Sequence, residues 1–151
     1  KERVHSTVAK QLALYVTLYS PVQMAADLPE NYEKRPDVFQ FIRDVPTDWS
    51  DTKILNAEVG DYVTIARRAK NSGDWFIGSM TDETARNFKA KLDFLDSKKE
   101  YEATIYEDGP EADYDKNPYP VNIRKVKVKK GDTLKLVLAA GGGTAVSIKA
   151  L

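Results

Sequence analysis

The sequence predicts a mainly β chain, in which an antiparallel β-sandwich follows a helical segment that ends near residue 45. Three observations support this fold class. The spacing of apolar residues changes near residue 46, from a helical repeat to alternation. Turn-forming runs, such as those at 71–73 and 108–110, separate the alternating segments. Hydrophobic residues make up 42% of the 151 residues, which is enough for a packed core.

The segment before residue 46 contains two predicted helices. The first lies in STVAKQLALYVTLYS, where Ser6 or Thr7 can act as the N-cap. Its apolar residues lie on nearly every side, which is typical of a helix that is covered over most of its surface. The second, shorter helix lies in PENYEKRPDVFQFIRDVP and ends before Pro46.

Eight strands are predicted after residue 46. They lie in TKILNAEV, DYVTIARRA, DWFIGSM, RNFKAKLDFL, EYEATIYED, VNIRKVKVKK, DTLKLVLAA and TAVSIKAL. Alternation of apolar and polar residues is typical of antiparallel strands with one buried face, and short strands at this spacing favour a sandwich. In VNIRKVKVKK the apolar face changes between Ile123 and Val126, which predicts a β-bulge near Arg124–Lys125.

The front segment is too small to bury its own first helix. Pieces below about 40 residues rarely fold alone. Residues 1–45 therefore either pack on the sandwich or form the edge of a larger domain, and we favour the second interpretation.

Charge and composition exclude several classes of function. Lys+Arg and Asp+Glu both number 23, so bulk charge does not favour nucleic acid or a membrane surface as a partner. Cysteine is absent, which excludes thiol catalysis and structural disulfides. The single histidine, His5, lies next to the start of the chain, so a self-contained Ser-His-Asp site is not expected.

Several long strings of residues resemble the C-terminal third of glycoside hydrolase family 97. They are KQLALYVTLYSPVQMAADLPENY, FQFIRDVPTDWSDTKILNAEVGDYVTIARR, DWFIGSMTDETAR, IYEDGPEADYDKNP and LAAGGGTAVSI. The resemblance implies that residues 1–45 are the incomplete terminal elements of a (β/α)8 barrel, and that 46–151 form a C-terminal antiparallel β-sandwich domain. It also implies a parent α-glycoside hydrolase acting on oligosaccharides, with α-glucosidase favoured over α-galactosidase.

The same resemblance implies a calcium ion in the parent enzyme and a periplasmic or secreted location. The family's catalytic carboxylates and calcium ligands lie upstream, so no catalytic or metal-binding residue is assigned in this chain. The spacing of oxygens in DYDKN, 113–117, resembles the start of an EF-hand loop. However, Pro118 stands where that loop needs glycine, so local calcium binding is not expected.

Met24 and Asp27 are the candidate substrate-pocket residues. If Pro21–Ala26 is the last barrel strand, both residues lie at the mouth of the barrel, where active sites occur. The alternatives are that Asp27 caps the following helix and that Met24 belongs to the barrel core. Arg3 and His5, before the first helix, could reach the same pocket or simply be solvated.

Trp75 and Tyr119 are the candidate platforms for stacking on sugars. They support a rival function, a carbohydrate-binding module. In DWFIGSM, Trp75 and Phe76 point to opposite faces of a strand, so one of the two rings must face away from the sandwich core. The alternative to sugar binding is that this outward ring packs against the barrel.

Overall fold

A computed structural model describes residues 4–25 and 27–151. The helices are α1 (Val8–Thr17), α2 (Pro29–Glu33) and α3 (Pro36–Asp44). The strands are β1 (Trp49–Glu58), β2 (Tyr62–Ala69), β3 (Trp75–Thr81), β4 (Arg86–Lys91), β5 (Tyr101–Asp108), β6 (Val121–Val128), β7 (Thr133–Leu138) and β8 (Gly143–Ala150). All eight predicted strands are present. None of the described helices is long and apolar enough to cross a membrane.

The strands form two antiparallel sheets that pack face to face. The larger sheet has the order β1-β2-β3-β8-β5-β6, and the smaller pairs β4 with β7. Between them lies a core that includes Trp75, Ile77, Leu92, Leu136 and Ile148. In β7 the residues alternate between buried and more exposed, as the sequence pattern predicts. The sandwich prediction is confirmed.

The outer face of the larger sheet is also buried, beneath α1 and α3. A second apolar cluster joins Leu12 and Val16 of α1 and Phe41 of α3 to Phe76 and Tyr106 of the sheet. The Phe41 ring meets the Phe76 ring edge to face, with centroids 6.1 Å apart. The ring that faces away from the sandwich core is therefore Phe76. The front segment packs on the sandwich through two of its helices.

The predicted bulge in β6 is absent, and that prediction is wrong. β6 pairs with β5 without a shift in register, from Tyr101 opposite Val128 to Asp108 opposite Val121. The face change has another cause. Val126 packs against the core between the sheets, whereas Val121 and Ile123 pack against the cluster beneath the helices. Because both faces of this strand are covered, its apolar residues can change face without a bulge. The register shifts of this sheet lie in β1 instead.

α1 begins as the sequence predicts and ends earlier. Thr7 is the N-cap, and its side chain accepts a hydrogen bond from the Lys10 amide at 3.2 Å. The helix ends at Thr17 rather than at Ser20. The five-residue α2 is additional to the predicted elements, although Pro29 at its first turn is a recognised start signal.

The predicted barrel strand at 21–26 has no partner in the described part of the chain. Residues 21–25 pair with none of the eight strands, and Ala26 lies outside the described residues. A barrel strand is paired by its neighbours in the barrel. The barrel strand and the domain boundary near residue 46 therefore stay predictions.

Candidate functional site

Helix α1 packs closely on the outer face of the larger sheet, and we call this contact surface the docking face. Two glycines allow the helix to approach the strands closely. A Cβ atom at Gly78 would lie 2.6 Å from the Ala13 carbonyl oxygen, and one at Gly143 would lie 2.7 Å from Lys10 Cα. The helix presents small residues here, because Ala9 and Ala13 are fully buried. Helix and sheet are thus in contact nearly backbone to backbone.

Arg67 of β2 binds the C-terminal end of α1. Its Nε donates to the Val16 carbonyl at 2.6 Å, and Nη2 donates to the Thr17 carbonyl at 3.5 Å. Nη1 donates to Thr52 Oγ1 at 2.9 Å. These carbonyls are among those that a helix leaves unpaired at its end, where the helix dipole favours a cation. Burial lowers the pKa of the Arg67 guanidinium.

Asp108, at the end of β5, lies near the start of α1, at the end of the docking face opposite to Arg67. Its Oδ2 accepts hydrogen bonds from the amides of Ala139, at 2.8 Å, and Gly143, at 2.9 Å. Burial raises the pKa of this carboxyl, while the nearby Thr7 side chain and Lys10 ammonium oppose that shift. The carboxyl therefore joins the end of β5, the turn before β8 and the start of α1. It is enclosed, so it is unsuited to act as a catalytic acid.

The loop at 109–120, between β5 and β6, covers the start of α1. The Val8 amide donates to the Pro118 carbonyl at 2.9 Å. The Tyr114 ring lies over Gly141, where a Cβ atom would come within 2.5 Å of it. Tyr119 follows Pro118 and is 63% exposed. This loop carries the one predicted sugar-stacking residue that presents its ring to solvent.

The other predicted platform, Trp75, is 5% exposed. Its ring packs on Phe94 between the sheets, with centroids 4.5 Å apart. That position leaves no ring face for a sugar, which argues against Trp75 as a stacking residue. Its neighbour Phe76 is the outward ring, and it packs against helices rather than facing solvent.

Met24 and Asp27 lie on the surface of the described chain. Met24 is 80% exposed, and its carbonyl accepts a hydrogen bond from the Tyr15 hydroxyl at 3.3 Å. Asp27 Oδ1 accepts from Asn31 Nδ2 at 2.6 Å and from the Leu28 amide at 2.7 Å. The Asn31 hydrogen bond is the main cause that lowers the pKa of Asp27. Asp27 thus holds the start of α2 from just outside the helix, and its role at a pocket stays a prediction.

Exposed apolar side chains are concentrated in the segment 18–28. Each of the following is at least 56% exposed: Leu18, Tyr19, Val22, Met24 and Leu28. Contiguous apolar exposure of this kind marks a surface that packs against something else. The segment connects α1 to α2 and has its own free apolar surface, whereas α1 and α3 are already docked.

The cleft beside the β2–β3 turn is lined by acidic side chains that already have partners. Asp44 pairs with Lys149, and Asp48 pairs with Lys70, each at 2.9 Å. Asp74 accepts a hydrogen bond from the Ala150 amide at 3.1 Å. Glycoside hydrolysis needs one carboxyl with a raised pKa opposite a second free carboxylate. The three carboxylates named in this cleft are already engaged, so none of them is the free carboxylate of such a pair.

The described part of the chain has no group of three or more His, Asp or Glu side chains placed to hold a metal ion. In the EF-hand-like run, the Asp113 carboxylate accepts hydrogen bonds from the amides of Asp115 and Lys116, at 2.9 and 2.8 Å. It stabilises a turn in this way. The Nδ1 atom of His5 lies 3.7 Å from Oδ1 of Asp115. Arg3 lies outside the described residues.

Known proteins resemble this chain over most of its length. The family model described as "Glycosyl-hydrolase 97 C-terminal, oligomerisation" matches residues 48–149. A retaining alpha-galactosidase of Bacteroides thetaiotaomicron is 39% identical, over 95% of this chain and 21% of its own length. A probable retaining alpha-galactosidase of Streptomyces bingchenggensis is 29% identical, over 91% of this chain and 20% of its own. The chain thus spans about a fifth of the length of these relatives.

Solved structures agree with these matches. A glycoside hydrolase family 97 enzyme from Pseudoalteromonas sp. strain K8, in complex with acarbose, superposes with a TM-score of 0.96 at 52% identity. That match covers 99% of this chain and 23% of the enzyme. A variant of the enzyme in complex with panose matches equally well. A beta-arabinopyranosidase matches with a TM-score of 0.76 at 27% identity, over 95% of this chain and 21% of its own.

The resemblance inferred from the long strings of residues is therefore confirmed. The match begins two residues after the predicted boundary at 46 and includes all eight strands except Ala150, the last residue of β8. Helices α1 and α3 precede the matched region and pack on its larger sheet. This chain belongs to glycoside hydrolase family 97 and contains the C-terminal domain of that family.

Proposed function

We propose that the sandwich stabilises the end of a catalytic (β/α)8 barrel in an α-glycoside hydrolase, of which residues 1–45 are the last elements. One observation carries the proposal. The outer face of the larger sheet is built to hold α1 and α3, through an apolar cluster and through Arg67. A domain whose outer sheet face is occupied by the preceding helices serves as their support.

The direction of the two helices supports a barrel origin. Lys10, near the start of α1, lies against Gly143 at the start of β8, and Ala13, one turn later, lies against Gly78, whose strand partner in β8 is Ala145. Asp44, at the end of α3, pairs with Lys149 near the end of β8. Phe41, one turn earlier, packs on Tyr106, whose strand partner in β8 is Ala145. Both helices therefore run in the same sense along β8. Consecutive helices of a (β/α) barrel are parallel in this way, and the strand between them would be residues 21–26, within the apolar segment 18–28.

The substrate proposed for the parent enzyme is an α-glucoside, in preference to an α-galactoside. Support comes from the 52% identity to an enzyme that was solved with acarbose and, as a variant, with panose. Panose is an oligosaccharide of α-linked glucose. The curated relatives named as alpha-galactosidases are less similar, at 39% and 29% identity. The proposal includes a calcium ion, with ligands upstream of this chain, and a periplasmic or secreted location.

The test is hydrolysis by the full-length enzyme. Panose and α-glucosyl fluoride should be cleaved with a larger kcat/KM than the matching α-galactosides. A reversed preference would assign the enzyme as an α-galactosidase. Absence of hydrolysis of either class would overturn the glycosidase proposal.

The rival function, a carbohydrate-binding module, is favoured by one observation, the exposed ring of Tyr119. Calorimetric titration of the 151-residue chain with maltopentaose separates the two roles. Millimolar or tighter binding by this chain alone, lost in Tyr119→Ala, would support the module. Absence of binding is expected if the sandwich serves mainly to support the barrel.

A further inference from the structure

The backbone on both sides of Tyr119 is restrained, although its side chain is exposed. It lies between Pro118 and Pro120, and the proline rings fix φ on both sides of it. The Pro118 carbonyl accepts a hydrogen bond from the Val8 amide at 2.9 Å, and the Pro120 carbonyl accepts one from the Gly109 amide at 3.0 Å. The backbone on each side of the ring is therefore fastened, once to α1 and once to the end of β5.

The rest of the loop is anchored in the same manner. The Tyr114 amide donates to the Ala140 carbonyl at 3.3 Å, and the Tyr114 ring lies over Gly141. Because the backbone of this loop is already held, a ligand that covers the ring does not also have to order the loop, which favours binding. A purely structural ring would instead be expected to pack inward, as Trp75 and Tyr106 do.

The position of the loop suggests what would cover the ring. The hydrogen bond from Val8 places Tyr119 at the N-terminal end of α1. In a (β/α) barrel each helix begins on the face where the strands end, and that face carries the active site. If α1 is a barrel helix, as proposed above, then the loop of the sandwich reaches the rim of the substrate pocket.

We propose that Tyr119 is a stacking platform for a sugar unit of the oligosaccharide, away from the unit whose bond is cleaved. This inference rests on the proposed function. A phenol ring offers an apolar face for the C–H groups of a pyranose, and its hydroxyl remains available for hydrogen bonds. The sandwich would then contribute to substrate length preference while the barrel performs the chemistry.

The test compares a long and a short substrate in the full-length enzyme. Tyr119→Ala should lower kcat/KM for panose by about three- to tenfold, since an aromatic contact of this kind contributes on that scale. Hydrolysis of α-glucosyl fluoride should be unchanged, because it has no second sugar. Tyr119→Phe keeps the ring and should behave like the wild type. Val59→Ala is the control, since Val59 is fully exposed on the β1–β2 turn, apart from this loop.

The outcomes are distinct. Equal effects of Tyr119→Ala on both substrates, or no effect on either, would overturn the platform. A wild-type enzyme inactive on both substrates would overturn the proposed function instead. A readout that does not depend on turnover is the fluorescence of Tyr119→Trp in the full-length enzyme, which should change on addition of maltopentaose. An unchanged spectrum at saturating sugar would also contradict the proposal.

Discussion

A single added methyl group at Gly78 should separate α1 from the sheet. The Cβ of Gly78→Ala would lie 2.6 Å from the Ala13 carbonyl oxygen, 2.9 Å from Val16 Cβ and 3.0 Å from Thr17 Cγ2. The first is a backbone atom and the second is fixed to the backbone, so neither can rotate away. The helix would have to move, and the hydrogen bonds from Arg67 to its last carbonyls would lengthen with it.

The expected cost follows from the size of the overlap. A carbon and an oxygen in ordinary contact lie about 3.3 Å apart, so the helix must shift by several tenths of an ångström. Overpacking of this kind costs about 1–3 kcal/mol of unfolding free energy. For a domain of this size, each kcal/mol lowers Tm by about 2–4 °C.

The assay is chemical and thermal denaturation of the 151-residue chain, with Gly73→Ala as the matched control. Gly73 lies in the β2–β3 turn, where a Cβ would have only the end of a flexible side chain, Lys99 Nζ, at 3.4 Å. That variant should be neutral or slightly stabilised, because alanine restricts the unfolded chain. If both alanine variants unfold at the same denaturant concentration, α1 does not pack closely on Gly78.

Three further outcomes are expected. Arg67→Met keeps the length of the side chain but removes the donors to the end of α1, and it should cost about 2 kcal/mol in urea unfolding; full retention of stability would contradict the role assigned to that guanidinium. Asp108 has a raised pKa in the folded chain, so ionisation opposes folding. Wild-type stability should therefore fall, relative to Asp108→Asn, as pH rises from about 4 through the raised pKa; parallel stability profiles for the two proteins would rule this out. Asp27→Ala in the full-length enzyme should raise KM or lower kcat with little change in Tm, and unchanged kinetics would remove Asp27 from the pocket.

The sequence predicts the strands well, because the alternation of apolar and polar residues along a strand follows which side chains are buried. Leu134, Leu136 and Leu138 alternate with more exposed residues, and β7 forms there. The same reasoning failed in β6, where it assumed one buried face. The outer face of that sheet is also covered, by helices that the pattern of a single strand does not reveal.

The docking face is harder to predict for a related reason. Glycine within DWFIGSM is a recognised signal of close backbone approach, but the sequence does not say which element approaches. Arg67 and Arg68 are adjacent and chemically alike, yet one is 9% exposed and the other faces solvent. Which of the two binds the end of α1 depends on the register of β2, and that register is set by long-range pairing with β1 and β3.

Hydrogen exchange of the 151-residue chain, followed by mass spectrometry, tests the central claim most directly. If the sandwich supports the helices, amides of α1 should be protected as strongly as those of β3 and β8, while the apolar segment 18–28 exchanges rapidly. Cleavage by a protease should likewise fall within 18–34 and leave α1 bound to the sheet. Rapid exchange throughout residues 4–45, with the eight strands still protected, would contradict the claim.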